Sequence, residues 1–268
     1  MTSGAPNGGP VTTAVSGGVA RVALNRPDKR NALDSAAISA LGAALACCAG
    51  DPEVRVLQLT GAGEVFCAGA DLVEMQAQAH ASEEENLAHA QKLAGVLSAL
   101  DSFPKPTLAR VNGDGYGGAL GLIAACDIVI AVESAKFAFT EVRLGIIPAV
   151  VSPFVLGKIG ESAALRYFLT AETMSAATLK EIGLVHEAVP AGMFDATCGR
   201  ITDAILKGAP GAQAAAKDLI RDAVRAPRQR GAASLDMASR LAKLRVQAEA
   251  REGFAAFFAK RKASWRQD

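Results

Sequence analysis

The 268-residue sequence lacks the features that mark several large protein classes. It has 28 basic and 27 acidic residues, so it lacks the excess of positive charge that binds a nucleic-acid backbone. Half of the residues are hydrophobic and 21% are charged, which excludes wholesale disorder and is enough for a substantial core. The longest apolar runs, such as Ala119–Cys126, are far shorter than the roughly 20 residues that span a bilayer. We therefore expect neither nucleic acid nor a membrane as a partner.

Cysteine and histidine are also sparse. The five cysteines are scattered and form no C-x-x-C pair: Cys47, Cys48, Cys67, Cys126 and Cys198. Such a set is typical of buried thiols in a cytoplasmic protein. The three histidines lie far apart in the sequence, which predicts no metal site. The N-terminus has neither the basic nor the apolar part of a signal peptide, and we expect residues 1–10 to form a flexible tail.

Strand and helix patterns alternate up to about residue 192, which predicts an α/β core with a mostly parallel sheet over residues 11–192. The predicted strands are Val11–Val15, Val19–Leu24, Val54–Thr60, Pro106–Val111, Asp127–Ala131 and Val185–Val189. The predicted helices of the core are Ala36–Cys48 (capped by Asp34 or Ser35), Ser82–Leu100, Ala119–Ala125, Ala149–Ile159, Ser162–Leu169 and Ser175–Glu181. Residues 193–268 show only helical patterns, at Met193–Lys207, Ala212–Val224, Ala232–Ala250 and Gly253–Ala263. We expect this region to pack or pair with other subunits.

The stretch Arg110–Ala131 carries four glycines within six positions, at 113, 115, 117 and 118, between a predicted strand and a predicted helix. Glycines leave the backbone open to close approach by a ligand. The first N–H groups of the following helix have no intrahelical partners and lie at the positive end of its dipole. This stretch therefore predicts a seat for negative charge, which is either a phosphate or a developing oxyanion.

A dinucleotide site is one interpretation of these glycines. Gly113-x-Gly115-x-x-Gly118 matches the Rossmann fingerprint, with Glu133 about 20 residues further on. However, the alternating pattern begins long before this stretch, whereas the fingerprint usually belongs to the first βαβ unit. An NAD-binding oxidoreductase would also leave the second glycine-containing turn, Phe66–Leu72, and the acid Glu141 without a role.

An oxyanion hole is the other interpretation, and it uses all three features. The N–H groups of Ala70 and Gly118 each belong to a strand-to-helix turn, and together they can polarise one thioester carbonyl. An enolate formed in this way needs an acid/base near its α-carbon. Glu141 lies on an apolar segment, which should raise its pKa toward neutrality.

Four separated motifs, LNRPDKRNAL, FCAGADL, VNGxxxGGALGL–CDI and FTEVRLGIIP, occur in the order and spacing of the enoyl-CoA hydratase/isomerase (crotonase) family. The closing segment Glu252–Trp265 is similar to that family's last helix, so the resemblance extends over about residues 12–265. It implies a crotonase-type ββα spiral core with a helical C-terminal trimerisation region. It also implies an acyl-CoA thioester substrate, a homotrimer or dimer of trimers, and no cofactor, since coenzyme A enters as part of the substrate.

The resemblance also implies roles for individual residues. Ala70 and Gly118 match the two oxyanion donors, and Glu141 matches the glutamate that delivers the proton. The positions that match the family's CoA groove are Leu24, Arg26, Lys29, Ala32, Ala68, Asp71 and Leu72. Phe257 and Lys260 match C-terminal positions that touch CoA, often from a neighbouring subunit.

The chain departs from the family at Gly121, where hydratases generally carry a first glutamate that positions water. A 1,3-proton shift needs only one base, so double-bond isomerisation is an alternative. Ala149 replaces the aspartate of the hydrolase and dienoyl-isomerase branches. The stretch Glu141–Glu172 instead resembles bacterial methylglutaconyl-CoA hydratases of leucine degradation, whose substrates carry a further carboxylate that could attract Arg143.

These features predict a hydratase (a lyase) with Glu141 as its single acid/base. Isomerase is the alternative, and an NAD-binding oxidoreductase or a non-catalytic acyl-CoA binder is more remote. Asp114, in the glycine loop, is a competing candidate for the missing acid.

Overall fold

The structure is a computed structural model that describes residues 8–225, 241–243, 245 and 247–266. Its strands are β1 (Val11–Ser16), β2 (Val19–Leu24), β3 (Val56–Gly61), β4 (Thr107–Val111), β5 (Gly115–Tyr116), β6 (Ile128–Val132), β7 (Lys136–Ala138), β8 (Met174–Ser175) and β9 (Glu187–Val189). Its α-helices are α1 (Ser35–Gly50), α2 (Leu72–Gln78), α3 (Glu83–Asp101), α4 (Gly118–Ala125), α5 (Ser152–Thr170), α6 (Ala176–Glu181), α7 (Ala191–Leu206), α8 (Pro210–Arg225) and α9 (Ala248–Phe258). Two short 3₁₀ turns cover Pro27–Lys29 and Glu141–Leu144.

The main sheet has six strands in the order β1-β2-β3-β4-β6-β9. The β1–β2 hairpin is antiparallel, and every other pair in this sheet is parallel, which confirms the predicted mostly parallel α/β core. A second sheet, β5-β7-β8, has its first strand within the glycine loop. Since parallel strands share one direction, the loops after β3 and β4 leave from the same edge of the main sheet.

Side chains at the helix starts explain where the helices begin. Asp34 accepts a hydrogen bond from the Ala37 N–H at 2.7 Å and so caps α1, which decides between the two predicted caps, Asp34 and Ser35. Ser82 and Glu85 form a reciprocal capping box at the start of α3. These caps pair N–H groups that the first helical turns leave free.

The element α5 contains two helices that meet at Gly160, as the predicted helices Ala149–Ile159 and Ser162–Leu169 require. The first of them begins at Ser152 rather than at Ala149. Gly160 has φ +70° and ψ 171°, a conformation that glycine adopts without the clash a Cβ would cause. The boundary between the predicted helices therefore exists as a kink.

The C-terminal helices are anchored on the core by partly buried polar contacts. Lys217 of α8 donates to Asp127 Oδ2 at 2.6 Å, and the same oxygen accepts the Thr107 N–H at 2.8 Å at the start of β4. Arg55 donates to the carbonyls of Gly208 and Trp265, each at 2.8 Å. Among the described residues from 193 onward, every regular element is helical.

The last two predicted helices lie at the C-terminal end of the chain. The predicted helix Ala232–Ala250 lies largely outside the described residues. The predicted helix Gly253–Ala263 is wrong in its bounds, since α9 covers Ala248–Phe258. Lys260 has φ +52°, a left-handed conformation that stops the helix. No helix of the described chain has both the length and the apolar composition needed to cross a bilayer.

Candidate active site

The loop that precedes α2 and the loop that precedes α4 pack directly against each other. Cys67 N–H donates to the Asp114 carbonyl, and Tyr116 N–H donates to the Cys67 carbonyl, both at 3.1 Å. Gly69 has φ +88°, and a Cβ at that position would lie 2.7 Å from the Tyr116 carbonyl oxygen. Backbone-to-backbone contact this close requires glycine. It places the starts of α2 and α4 side by side.

Two N–H groups at these helix starts remain available. Ala70 directly precedes Asp71, the N-cap of α2, and Gly118 is the first residue of α4. Within the described part of the chain, neither N–H donates to a protein acceptor, whereas the intervening Gly117 N–H is taken by the Ala138 carbonyl at 3.0 Å. Free N–H groups at adjacent helix starts suit an oxygen that gains negative charge.

Glu141 opens the 3₁₀ turn beside this loop. A Cβ built on Gly117 would lie 3.3 Å from Glu141 Oε1, so the carboxyl reaches the backbone that leads into Gly118. Its Oε2 is buried and has no hydrogen-bond partner among the described residues. Burial raises the pKa of Glu141, in the direction that its apolar segment predicted. A carboxyl of this kind suits proton transfer with a bound ligand.

The structure leaves no room for a second acid at Gly121. An ideal Cβ there would lie 2.5 Å from Val151 Cγ1 and 3.0 Å from Leu97 Cδ1. The sequence did not single out Val151 or Leu97, and no motif signals them. They reach Gly121 only because α3 and the start of α5 pack on α4.

Asp114, the competing acid, is engaged elsewhere. Its Oδ1 accepts the Lys136 N–H at 2.9 Å, and its Oδ2 accepts the Tyr116 hydroxyl at 3.2 Å. Arg30 lies 3.5 Å from the same Oδ2. These contacts hold the loop before β5 against the start of β7, which is a structural role.

Arg26 is the centre of an ion cluster at the predicted CoA groove. Its Nη2 lies 2.9 Å from both Asp34 Oδ2 and Asp71 Oδ2, and its Nη1 donates to the Ala32 carbonyl at 2.6 Å. Burial alone would raise the pKa of Asp71, but hydrogen bonds from the Val73 N–H and from Arg26 lower it. Because Asp34 and Asp71 are the N-caps of α1 and α2, Arg26 ties two helix starts together.

The remaining predicted groove residues differ in exposure. Leu24 and Ala32 are buried, so neither side chain is presented to solvent. The Leu24 carbonyl accepts the Ala62 N–H at 2.8 Å. Ala68 is half-buried, whereas Lys29 and Leu72 are exposed. Lys29 is therefore the predicted groove cation that remains open to a phosphate.

The two C-terminal residues lie on or just after α9. Phe257 is 76% exposed and Lys260 is exposed. Their predicted contact with CoA stays a prediction.

The sequence profile of the enoyl-CoA hydratase/isomerase family matches residues 14–268. A Thermus thermophilus protein, provisionally named an enoyl-CoA hydratase, is 35% identical over 245 residues, which cover 91% of this chain and 96% of that protein. The 2,3-dehydroadipyl-CoA hydratase of Escherichia coli is 32% identical over 240 residues, covering 89% and 91% of the two chains.

The crystal structure of an enoyl-CoA hydratase from Shewanella pealeana superposes with a TM-score of 0.92 at 40% identity, covering 96% of each chain. The predicted crotonase-type fold is thereby confirmed. Both the sequence match and the structural match extend over nearly the whole chain. The chain therefore belongs to the enoyl-CoA hydratase/isomerase family and is an enzyme of that family.

Proposed function

We propose that the enzyme adds water to, or removes it from, the 2,3-double bond of an enoyl-CoA thioester. The observation that carries this proposal is the placement of two free N–H groups, on Ala70 and Gly118, beside the buried carboxyl of Glu141. The N–H pair receives the thioester oxygen and stabilises the enolate that forms when the β-carbon is attacked. Glu141 transfers the proton.

In the hydration direction, Glu141 takes a proton from water while the water oxygen bonds to the β-carbon of the substrate. The double-bond electrons move toward the thioester oxygen, which gives an enolate. Glu141 then returns its proton to the α-carbon, so that one molecule of water is added in total. One carboxyl performs both steps, and a raised pKa suits a group that both accepts and donates a proton.

For the substrate, we propose a 2-enoyl-CoA with a second carboxylate in its acyl part, as in methylglutaconyl-CoA. The name of the E. coli relative describes an enoyl-CoA of this dicarboxylic type. Arg143 lies exposed two residues beyond Glu141 and offers a cation for such a carboxylate. Lys29 and Leu72 contribute to the CoA groove, and Phe257 and Lys260 reach CoA from a neighbouring copy.

Double-bond isomerisation is the second candidate, because Gly121 has no side chain and the atoms nearest to it are hydrocarbon. A 1,3-proton shift requires one base alone. The dinucleotide alternative has less support, since the matching family and the similar structure are those of acyl-CoA enzymes.

The deciding experiment is a turnover assay that follows the absorbance of the 2-enoyl thioester. We expect the purified enzyme to consume the absorbance of methylglutaconyl-CoA faster than that of crotonyl-CoA. If only a 3-enoyl-CoA reacts, with rising absorbance, the enzyme is an isomerase. A pure protein that binds acyl-CoA and turns over none of the three is a non-catalytic binder.

The oxyanion hole has its own test. Gly118→Val should lower turnover by about 10² or more, as the loss of one oxyanion donor does. Gly118→Ala is the control, because a Cβ there would make ordinary contacts of 3.6 Å with Leu33 and Leu93. Near-full activity of the valine variant would place the hole elsewhere.

A further inference from the structure

Gly121 lies on the same helix as Gly118, whose free N–H belongs to the candidate oxyanion hole. It follows Gly118 by three positions on α4, and residues three apart share one face of a helix. Helical side chains lean toward the N-terminus. A side chain at position 121 would therefore extend toward the free N–H of Gly118.

Apolar side chains fill the space that a side chain at position 121 would occupy. From an ideal Cβ on Gly121, Val151 Cγ1 lies at 2.5 Å, Val151 Cβ at 3.0 Å and Leu97 Cδ1 at 3.0 Å. Val151 is 2% exposed and Leu97 is fully buried. One turn before Leu97 on α3, Leu93 approaches Gly118 in the same way. The wall beside the candidate oxyanion hole is thus closed by side chains of α3 and of the α5 start.

Val151 is held by the same segment that presents Glu141. That segment runs from the 3₁₀ turn at Glu141 to Pro148, whose carbonyl accepts the Ser152 N–H at 3.1 Å. Val151 is the N-cap residue of α5, and its carbonyl accepts the Val155 N–H at 3.1 Å. Glu141 and the side chain that crowds Gly121 therefore belong to one continuous piece of backbone.

We infer that Val151, supported by Leu97, excludes a second carboxylate at position 121 and so keeps this a one-carboxyl site. It occupies the space that a second carboxylate would need, so that proton transfer depends on Glu141 alone. This inference rests on the proposed function for its catalytic meaning. The packing it requires is independent of that function.

The activity test compares two double variants of equal shape, Gly121→Glu/Val151→Gly and Gly121→Gln/Val151→Gly. Glycine at 151 removes both Val151 atoms that crowd Gly121, and glycine is acceptable at a helix N-cap. We expect the glutamate variant to hydrate crotonyl-CoA about 10-fold or more faster than the glutamine variant. Its pH profile of kcat/KM should show a second ionisation that the wild type and the glutamine variant lack. Equal rates and equal pH profiles of the two double variants would overturn the inference.

A melting experiment tests the packing whether or not any variant is active. Gly121→Ala should lower Tm by about 5 °C or more, because the added methyl overpacks against Val151. In Gly121→Ala/Val151→Gly, the alanine should no longer lower Tm relative to Val151→Gly alone. A Gly121→Ala variant that melts like the wild type would show that Val151 does not fill the space next to Gly121. Failure of the wild type to turn over any enoyl-CoA would instead overturn the proposed function, and the melting result would still stand.

Discussion

At the residue scale, the Glu141 carboxyl combines an unpaired buried oxygen with a raised pKa. One of its oxygens is buried without a partner, and burial raises its pKa above the ordinary value of 4.5. A buried acceptor without a partner costs stability unless it serves another purpose. Proton transfer to a bound ligand supplies such a purpose.

Glu141→Gln should lower turnover by about 10² to 10⁴ while CoA binding stays nearly intact, because the amide keeps the shape but exchanges no proton. Steady-state kinetics and calorimetric titration with a CoA thioester measure the two quantities. Asp114→Asn is the matched control, since Asp114 is held by Lys136, Tyr116 and Arg30. An active Glu141→Gln variant beside an inactive Asp114→Asn variant would reverse the assignment.

The raised pKa of Glu141 also predicts how stability depends on pH. The folded state binds the Glu141 proton more tightly than the unfolded state does. The stability that this proton contributes is therefore complete below the pKa of Glu141 in the unfolded state, which is near 4.5. That stability is lost as the pH rises through the folded pKa. We therefore expect the Tm of Glu141→Gln, compared with that of the wild type at the same pH, to rise as the pH increases from 4 to 8. A Tm difference that stays constant across this range would show that Glu141 titrates normally.

At the scale of elements, one guanidinium fixes the starts of two helices. Arg26 contacts Asp34 and Asp71, the N-caps of α1 and α2, and Ala70 directly precedes Asp71. A second contact holds α2 in place, where Glu74 accepts the Ser35 N–H at 2.8 Å and lies 3.1 Å from His89 Nε2. The position of the Ala70 N–H therefore depends on packing among α1, α2 and α3.

Arg26→Ala should destabilise the fold by about 1–3 kcal/mol, because it leaves two partly buried carboxylates without their cation. Lys29→Ala is the matched control for charge. Lys29 is exposed, so its loss should leave Tm unchanged and raise KM for the CoA substrate. Thermal melting and steady-state kinetics separate the two effects. A raised KM for Arg26→Ala at unchanged Tm would instead make Arg26 a direct phosphate ligand.

At the scale of the whole molecule, exposed apolar side chains in the described part of the chain include two faces that could contact other subunits. One lies on the segment from Glu141 through α5, where Ile147 is 72% and Leu169 is 70% exposed beside an apolar cavity of about 340 Å³. The other lies on α9, where Phe257 and Phe258 are exposed. Apolar faces of this kind usually mark contacts with other protein surfaces.

We therefore expect a homotrimer or a dimer of trimers, in which both faces are covered. Sedimentation at micromolar concentration should give a mass well above the 27.5 kDa of one chain. Ile147→Glu should shift the assembly toward smaller species, whereas Lys29→Ala should not. A stable wild-type monomer would contradict this expectation and would leave Phe257 and Lys260 without a route to CoA.

The elements were predicted with most success where one local signal sufficed. The β1–β2 hairpin follows from two β-branched runs around Gly17 and Gly18, and the start of α1 follows from Asp34 as an N-cap. The end of α9 was misplaced because the sequence from Gly253 to Ala263 continues its helical pattern past Lys260. The left-handed backbone at that residue has no local signature of the kind that a glycine would supply.

For the active site, the sequence by itself determined which groups are present. It contains two glycine-rich turns, one acid on an apolar segment and no side chain at position 121. Only the tertiary structure decided how these groups meet. The turn at Gly69 packs on Tyr116, Glu141 reaches Gly117, and Arg26 is committed to helix caps. Closure of the Gly121 wall by Val151 and Leu97 also belongs to the tertiary structure, because those residues lie on separate helices far from Gly121 in sequence. The physical reason is that glycine turns and apolar periodicity act over a few neighbouring residues, whereas burial, ion pairing and excluded volume arise only when distant segments pack together.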